Sequence, residues 1–211
     1  MKHFVILLSA LILTQGLTED EASTFRKAFE RDTEELLAPL LKEYAELKNL
    51  IEEVKQFQQT QTISSLVFGE RLSSLSSDCL PTATPFIETW DTDACLNLTT
   101  TLADAVELAE NMTSWVFKAS LTISQKLYNL LHCGSINPIT AIKCFIDGIN
   151  DVKGTIDSFK PIVNENINEI VALAKELKVE FDDCLYTSKI AQAVAKQVVV
   201  EAQLCVNMKS N

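Results

Sequence analysis

The sequence predicts an all-α protein: an elongated antiparallel up-and-down bundle of three long helices plus a shorter fourth, stapled by disulfides. Three observations predict it. Apolar residues recur at alternating three- and four-residue steps over long stretches without losing phase, which strands of period two cannot do. Hydrophobic residues make up 47% of 211, with only five Gly and five Pro, so a disordered tail of any length is excluded. Six cysteines follow an N-terminal segment of secretory type, and an even number in such a chain reads as three disulfides.

The first apolar row reads Leu37, Leu40, Tyr44, Leu47, Ile51 and Val54, turns polar at Gln58, Gln61 and Ser65, and resumes at Phe68, Leu72, Leu75 and Cys79. It predicts a helix near 20–77. The second runs from Cys95 through Leu98, Leu102, Ala105, Ala109, Met112, Val116, Ala119, Ile123, Lys126 and Leu130 to Cys133, predicting a helix over 95–132. The third runs from Ile142 through Phe145, Ile149, Val152, Ile156, Phe159, Val163, Asn166, Ile170 and Leu173 to Leu177, within a helix over 138–184. A fourth helix, near 187–207, carries Ile190, Ala191, Val194, Val198, Ala202 and Cys205.

Punctuation agrees with these bounds. Gly134 ends the second helix, and Asn137-Pro138 reads as an N-cap followed by proline at the first helical position. Between Ser76 and Asp93, Pro81 and Pro85 mark a long loop whose Phe86, Ile87 and Trp90 are expected to fold back onto the bundle end. The phase of the third row survives Gly154 and Pro161, which predicts one kinked, continuous helix. Before Pro39, the row Phe25, Ala28 and Phe29 is out of phase with the row beyond the proline, so continuity there stays open. Short links between long helices make sequence neighbours antiparallel.

Residues 1–16 have the features of a secretory signal peptide: Lys2 and His3, an apolar stretch from Phe4 to Leu13, and small residues at Thr14 and Gly16. Ten apolar residues are too few for an anchor, which needs about 20. The expected mature chain is one helical domain, 17–211, secreted and extracellular, with no transmembrane anchor. Its cysteines (Cys79, Cys95, Cys133, Cys144, Cys184, Cys205) are widely spaced with no Cys-x-x-Cys, which argues against zinc and redox sites. The net charge of −11 becomes −12 without Lys2 and includes no basic stripe, so nucleic acid is excluded as a partner.

Two tripeptides are N-glycosylation sequons, Asn97-Leu98-Thr99 and Asn111-Met112-Thr113. They lie 14 residues apart, on one face of the second helix with Asp104, Lys118, Gln125 and His132. That face is expected to meet solvent, as glycans require.

Little points to catalysis. His132 is the single histidine after the leader, so no His-x-x-x-His metal pair can form. No nucleophile elbow or phosphate-binding glycine loop occurs. Asp91, Asp93, Asp182 and Asp183 could form a carboxylate pair, but they lie near helix ends and loops, where acidic residues are ordinary. The reading is therefore not an enzyme, with no cofactor and no metal. At 1.5 Å per residue, Gln58, Gln61 and Ser65 come to the height of Asn166 on an antiparallel third helix, which predicts a polar layer in the core that sets register. Trp115 and Phe117 flank the seam at Val116 and are read as core, or as a partner surface if exposed.

From Cys133 onward the chain resembles the TsetseEP-type domain of insect secreted proteins. Leu131-His132-Cys133-Gly134, Ala141-Ile142-Lys143-Cys144-Phe145, the helix from Asn164 to Phe181 and the closing Cys184 and Cys205 carry the resemblance, over about the last 110 residues. The acidic Glu-Pro repeat that names the family is absent here. The resemblance implies an insect protein of gut, haemolymph, saliva or venom, and brings no catalytic residues with it. Two functions remain: an extracellular interaction protein with an unknown protein partner, or a carrier of an apolar small molecule held between the helices.

The bundle restricts the disulfides. Cys133 and Cys144 meet at the turn containing Gly134. Cys184 and Cys205, separated by most of the fourth helix, are about 25–30 Å apart and cannot pair, which also excludes Cys79 with Cys95. Two pairings remain, and loop height favours Cys79–Cys184 with Cys95–Cys205.

Overall fold

The computed structural model describes residues 19–80, 93–133 and 138–209. Helix α1 spans Glu19–Ser73, a 3-10 turn comes next at Ser77–Cys79, α2 spans Asp93–Leu131 and α3 spans Pro138–Lys209. No strand occurs among the described residues. The signal segment 1–16, the loop with Pro81, Pro85, Phe86, Ile87, Trp90 and Asp91, and Gly134 and Asn137 lie outside them. So do the side chains of Phe25, Ser65, Phe68, Leu72, Asp93 and Ile142.

The fourth helix does not exist separately. α3 is continuous for 72 residues, through the point where the third and fourth were expected to part. The reason lies in its buried row, which continues past Leu177 at Phe181, Cys184, Ser188, Ala191, Ala195, Val199 and Ala202 in unbroken three-four steps. Ile190 and Val194, expected inside, are 49% and 46% exposed instead.

Both internal prolines are accommodated within helices, Pro39 in α1 and Pro161 in α3. Each stands on an exposed face, where water can hydrate the carbonyl four residues back that the proline leaves without its amide partner.

The chain forms two compact units, each built from a part of all three helices. The first takes α1 up to Ala45 with Ala109–Ile170. Leu36, Leu37 and Leu40 are buried there with Met112, Ala119, Ile123 and Leu130 of α2 and Val152, Ile156, Val163 and Ile170 of α3. Helices α2 and α3 run antiparallel in it. Lys126 Nζ pairs with Asp151 at 2.8 Å, and the Trp115 and Phe159 rings meet edge-on at 5.9 Å. Near the turn, a Cβ on Gly148 would lie 2.8 Å from Leu130 Cδ1 and 3.4 Å from its Cα, so the missing side chain permits the close approach.

The second unit takes Glu46–Leu108 with α3 from Val171 onward. Leu47, Ile51 and Val54 are buried with Leu98, Leu102 and Ala105 of α2. Phe57 meets Phe181 at 5.3 Å, Gln192 Nε2 donates to Gln61 Oε1 at 3.3 Å, and Cys79 is bonded to Cys205. Partners on α3 thus advance as α1 advances, so these two helices are parallel here. This corrects the polar layer. Gln61 faces Gln192, Gln58 Nε2 donates to Thr99 Oγ1 at 3.3 Å, and Asn166 belongs to the other unit. Treating α1 and α3 as antiparallel had placed Asn166 at the wrong height.

Candidate functional site

The cysteines are the first chemical feature that the fold organises. The pairs are Cys79–Cys205, Cys95–Cys184 and Cys133–Cys144, with Cα separations of 5.7, 4.8 and 5.5 Å, and no cysteine is free. Cys133–Cys144 sits at the expected turn. The other two correct the favoured pairing. Because 138–209 is one helix, Cys205 lies 21 residues, or roughly 30 Å, beyond Cys184 in the direction that α1 also runs. The 3-10 turn that follows α1 therefore reaches Cys205, and α2 begins beside Cys184. A fourth helix turning back would have reversed that order.

The sequon face comes next. Asn97, Asn111, Asp104, Lys118, Gln125 and His132 are all exposed on α2. Both sequon threonines lean on the helix ladder. Thr99 Oγ1 donates to the Cys95 carbonyl at 3.0 Å and accepts from Gln58. Thr113 Oγ1 donates to the Ala109 carbonyl at 2.9 Å, which leaves the Tyr44 hydroxyl, 2.7 Å away, as donor to Thr113. These contacts were missed in the sequence, though a signal existed: Tyr44 and Gln58 are 14 residues apart, as are Thr99 and Thr113.

The remaining candidates are not brought together. His132 is exposed, stacks on Tyr128 at 3.8 Å between ring centroids, and has Nδ1 2.8 Å from the Tyr128 carbonyl, a placement that suits an Nδ1–H donor. Asp182 and Asp183 are exposed. Trp115 is half-buried against Phe159, while Phe117 is 68% exposed. Among the described residues no group of three or more His, Cys, Asp or Glu is arranged to hold a metal ion.

In the first unit a cleft of about 400 Å³ opens between α1 and α3. Leu36, Pro39, Ile156 and Val163 supply its apolar surface, and Asp32, Glu35 and Lys160 its charged groups. The Lys160 ammonium donates to Asp157 Oδ1 at 2.7 Å. That hydrogen bond, then the Asp157 charge, and more weakly Asp32, hold the lysine pKa above its ordinary value despite slight desolvation. The cleft has the size of a small-molecule site, with two carboxylates and one ammonium beside its apolar wall.

The fold and its chemistry define a helical bundle closed by three internal disulfides. No described helix is long and apolar enough to cross a membrane. Comparison with protein-family models, with curated proteins and with solved structures finds no match.

Proposed function

We propose that this is a secreted, N-glycosylated interaction protein of the insect TsetseEP-like kind, which acts by binding an extracellular partner through its surface and catalyses no reaction. The observation that carries the reading is the complete internal pairing of six cysteines, which suits an oxidising compartment. Exposure of Asn97 and Asn111 on one helix supports the glycosylation. The leader-like segment 1–16 supports export.

Expression in insect cells tests it. The medium should contain a chain beginning at Leu17 whose mass falls on treatment with an N-glycosidase, with Asn97→Gln and Asn111→Gln each removing one glycan. A chain that stays in the cell with Met1 in place, and that no glycosidase alters, contradicts the reading.

The cleft between α1 and α3 favours a second reading, a carrier of a small molecule with an apolar body and a charged end. Mass spectrometry of an organic extract of the purified protein separates the two. A stoichiometric small molecule supports the carrier, and an empty extract supports the interaction protein.

A further inference from the structure

Helix α3 carries a second apolar row on the side opposite its buried one. Moving two residues on from buried positions gives Val179, Tyr186, Ile190, Ala193 and Leu204, with polar breaks at Asp183 and Gln197, and Val200, two beyond the half-buried Val198, completes the row. All eight are exposed. Two residues turn a helix by about 200°, so this row points away from the core of its own unit. Tyr186 is 68% exposed, Val200 53% and Leu204 56%. An exposed apolar face of that length marks a contact surface. Its steps alternate four and three throughout, the pattern of a two-stranded coiled coil.

We propose that this row pairs with the same row of a second copy of the chain, as a parallel, in-register coiled coil centred on Tyr186–Leu204. The charges beside the seam select that occupant and direction. In register and parallel, Lys196 of each copy faces Glu201 of the other, and Lys189 faces the uncharged Val194. Antiparallel registers that keep the seam overlapped set Lys189 against Lys196, or one of these lysines against itself, which is repulsive.

Gln197 strengthens the assignment. Its Nε2 donates to Glu201 Oε1 at 2.9 Å, which leaves its amide oxygen to accept a bond from the Gln197 amide of the second copy. One polar residue of this kind in a seam fixes register and favours two strands. Asp183 repels its counterpart and ends the tight part of the coil at Tyr186. Because the two rows lie on opposite sides of α3, pairing leaves the buried row of the second unit undisturbed. The proposal concerns self-association alone and holds whether or not the protein is a carrier.

Sedimentation equilibrium of the full glycosylated chain over a wide concentration range tests it. The mass should rise from one chain to two with concentration. The pair of changes Ile190→Asp and Leu204→Asp should weaken association at least about 100-fold, since each dimer would then bury unpaired carboxylates. Circular dichroism and disulfide mapping show whether that variant keeps its fold. Lys196→Glu alone, and Glu201→Lys alone, should each weaken association by about fivefold, and the two together should restore it. These surface changes keep the test open even if the aspartate variant does not fold. A chain that stays monomeric throughout overturns the proposal. So does a dimer indifferent to the aspartates, or one that the charge swap fails to restore.

Discussion

The two compact units solve the same packing problem with different side chains. In the first, α3 presents Val152, Ile156, Val163 and Ile170 to its neighbours, all large and branched. In the second its buried row starts with the large Leu177 and Phe181 and beyond Cys184 becomes Ser188, Ala191, Ala195, Val199 and Ala202, mostly small. An alanine removes far less apolar surface from water than a valine or isoleucine. The second unit also holds two of the three disulfides and the half-buried Gln61–Gln192 pair. Two of the covalent links thus tie down the stretch of α3 whose buried side chains are smallest, while Leu47, Val54, Leu98 and Leu177 pack in the same unit. Along one continuous helix, the buried side chains shrink where the cross-links are denser.

The largest effect should come from removing a link in the second unit. Cys79→Ser with Cys205→Ser opens a ring that Cys95–Cys184 still partly closes. On the chain-entropy model the loss is about 4 kcal/mol, against about 3 kcal/mol for Cys133→Ser with Cys144→Ser, whose residues are only 11 apart. Urea unfolding followed by circular dichroism measures both. A larger loss for the Cys133–Cys144 pair would break the comparison.

Core truncation should show the opposite order. Ile170→Ala, at a position 1% exposed in the first unit, is expected to cost about 3 kcal/mol. Ala195→Gly, at a buried position in the second, should cost about 1 kcal/mol, mainly through helix propensity. Equal losses would mean that the second unit packs as tightly as the first.

Much of this was legible in the sequence. The rows Leu37–Val54, Leu98–Leu130 and Val152–Leu177 supply most of the buried side chains, because a three-four repeat held in phase over many turns has no other regular realisation. Phase continuity also identified the helix through Pro161. The same test applied past Leu177 would have joined the third and fourth helices. It was missed because the continuing positions are Ser188, Ala191 and Ala195, while the bulkier Ile190 and Val194 drew the assignment to the outer face. That one error propagated: a fourth helix turning back leads to Cys79–Cys184, whereas a continuous α3 leads to Cys79–Cys205. The hydroxyl contacts of Thr99 and Thr113 were illegible for another reason, since they depend on how α1 is rotated against α2.

Asn166 sharpens the picture of the first unit. It is 9% exposed, and its Nδ2 is buried with no hydrogen-bond partner among the described residues. Asn166→Leu should therefore raise stability by about 1–2 kcal/mol, read as a higher urea midpoint. A clear loss would reveal a partner that holds the amide.

The smallest expected effects come from two glycines of the same helix and unit. A Cβ at Gly154 meets nothing within 4 Å, so Gly154→Ala should stabilise by about 0.5–1 kcal/mol through helix propensity. At Gly148 the added methyl presses on Leu130, so Gly148→Ala should lose that gain and lower the melting temperature. Equal responses would show that α2 and α3 are not in close contact there.

Hydrogen exchange before and after reduction tests the division of labour most directly. With the disulfides intact, amides of 147–170 and 185–205 should both be protected. After reduction, exchange in 185–205 should accelerate at least about tenfold more than in 147–170, because the side chains that α3 buries beyond Cys184 are mostly small, whereas Val152, Ile156, Val163 and Ile170 still pack in the first unit. Equal acceleration in the two segments, or a larger one in 147–170, would contradict the account.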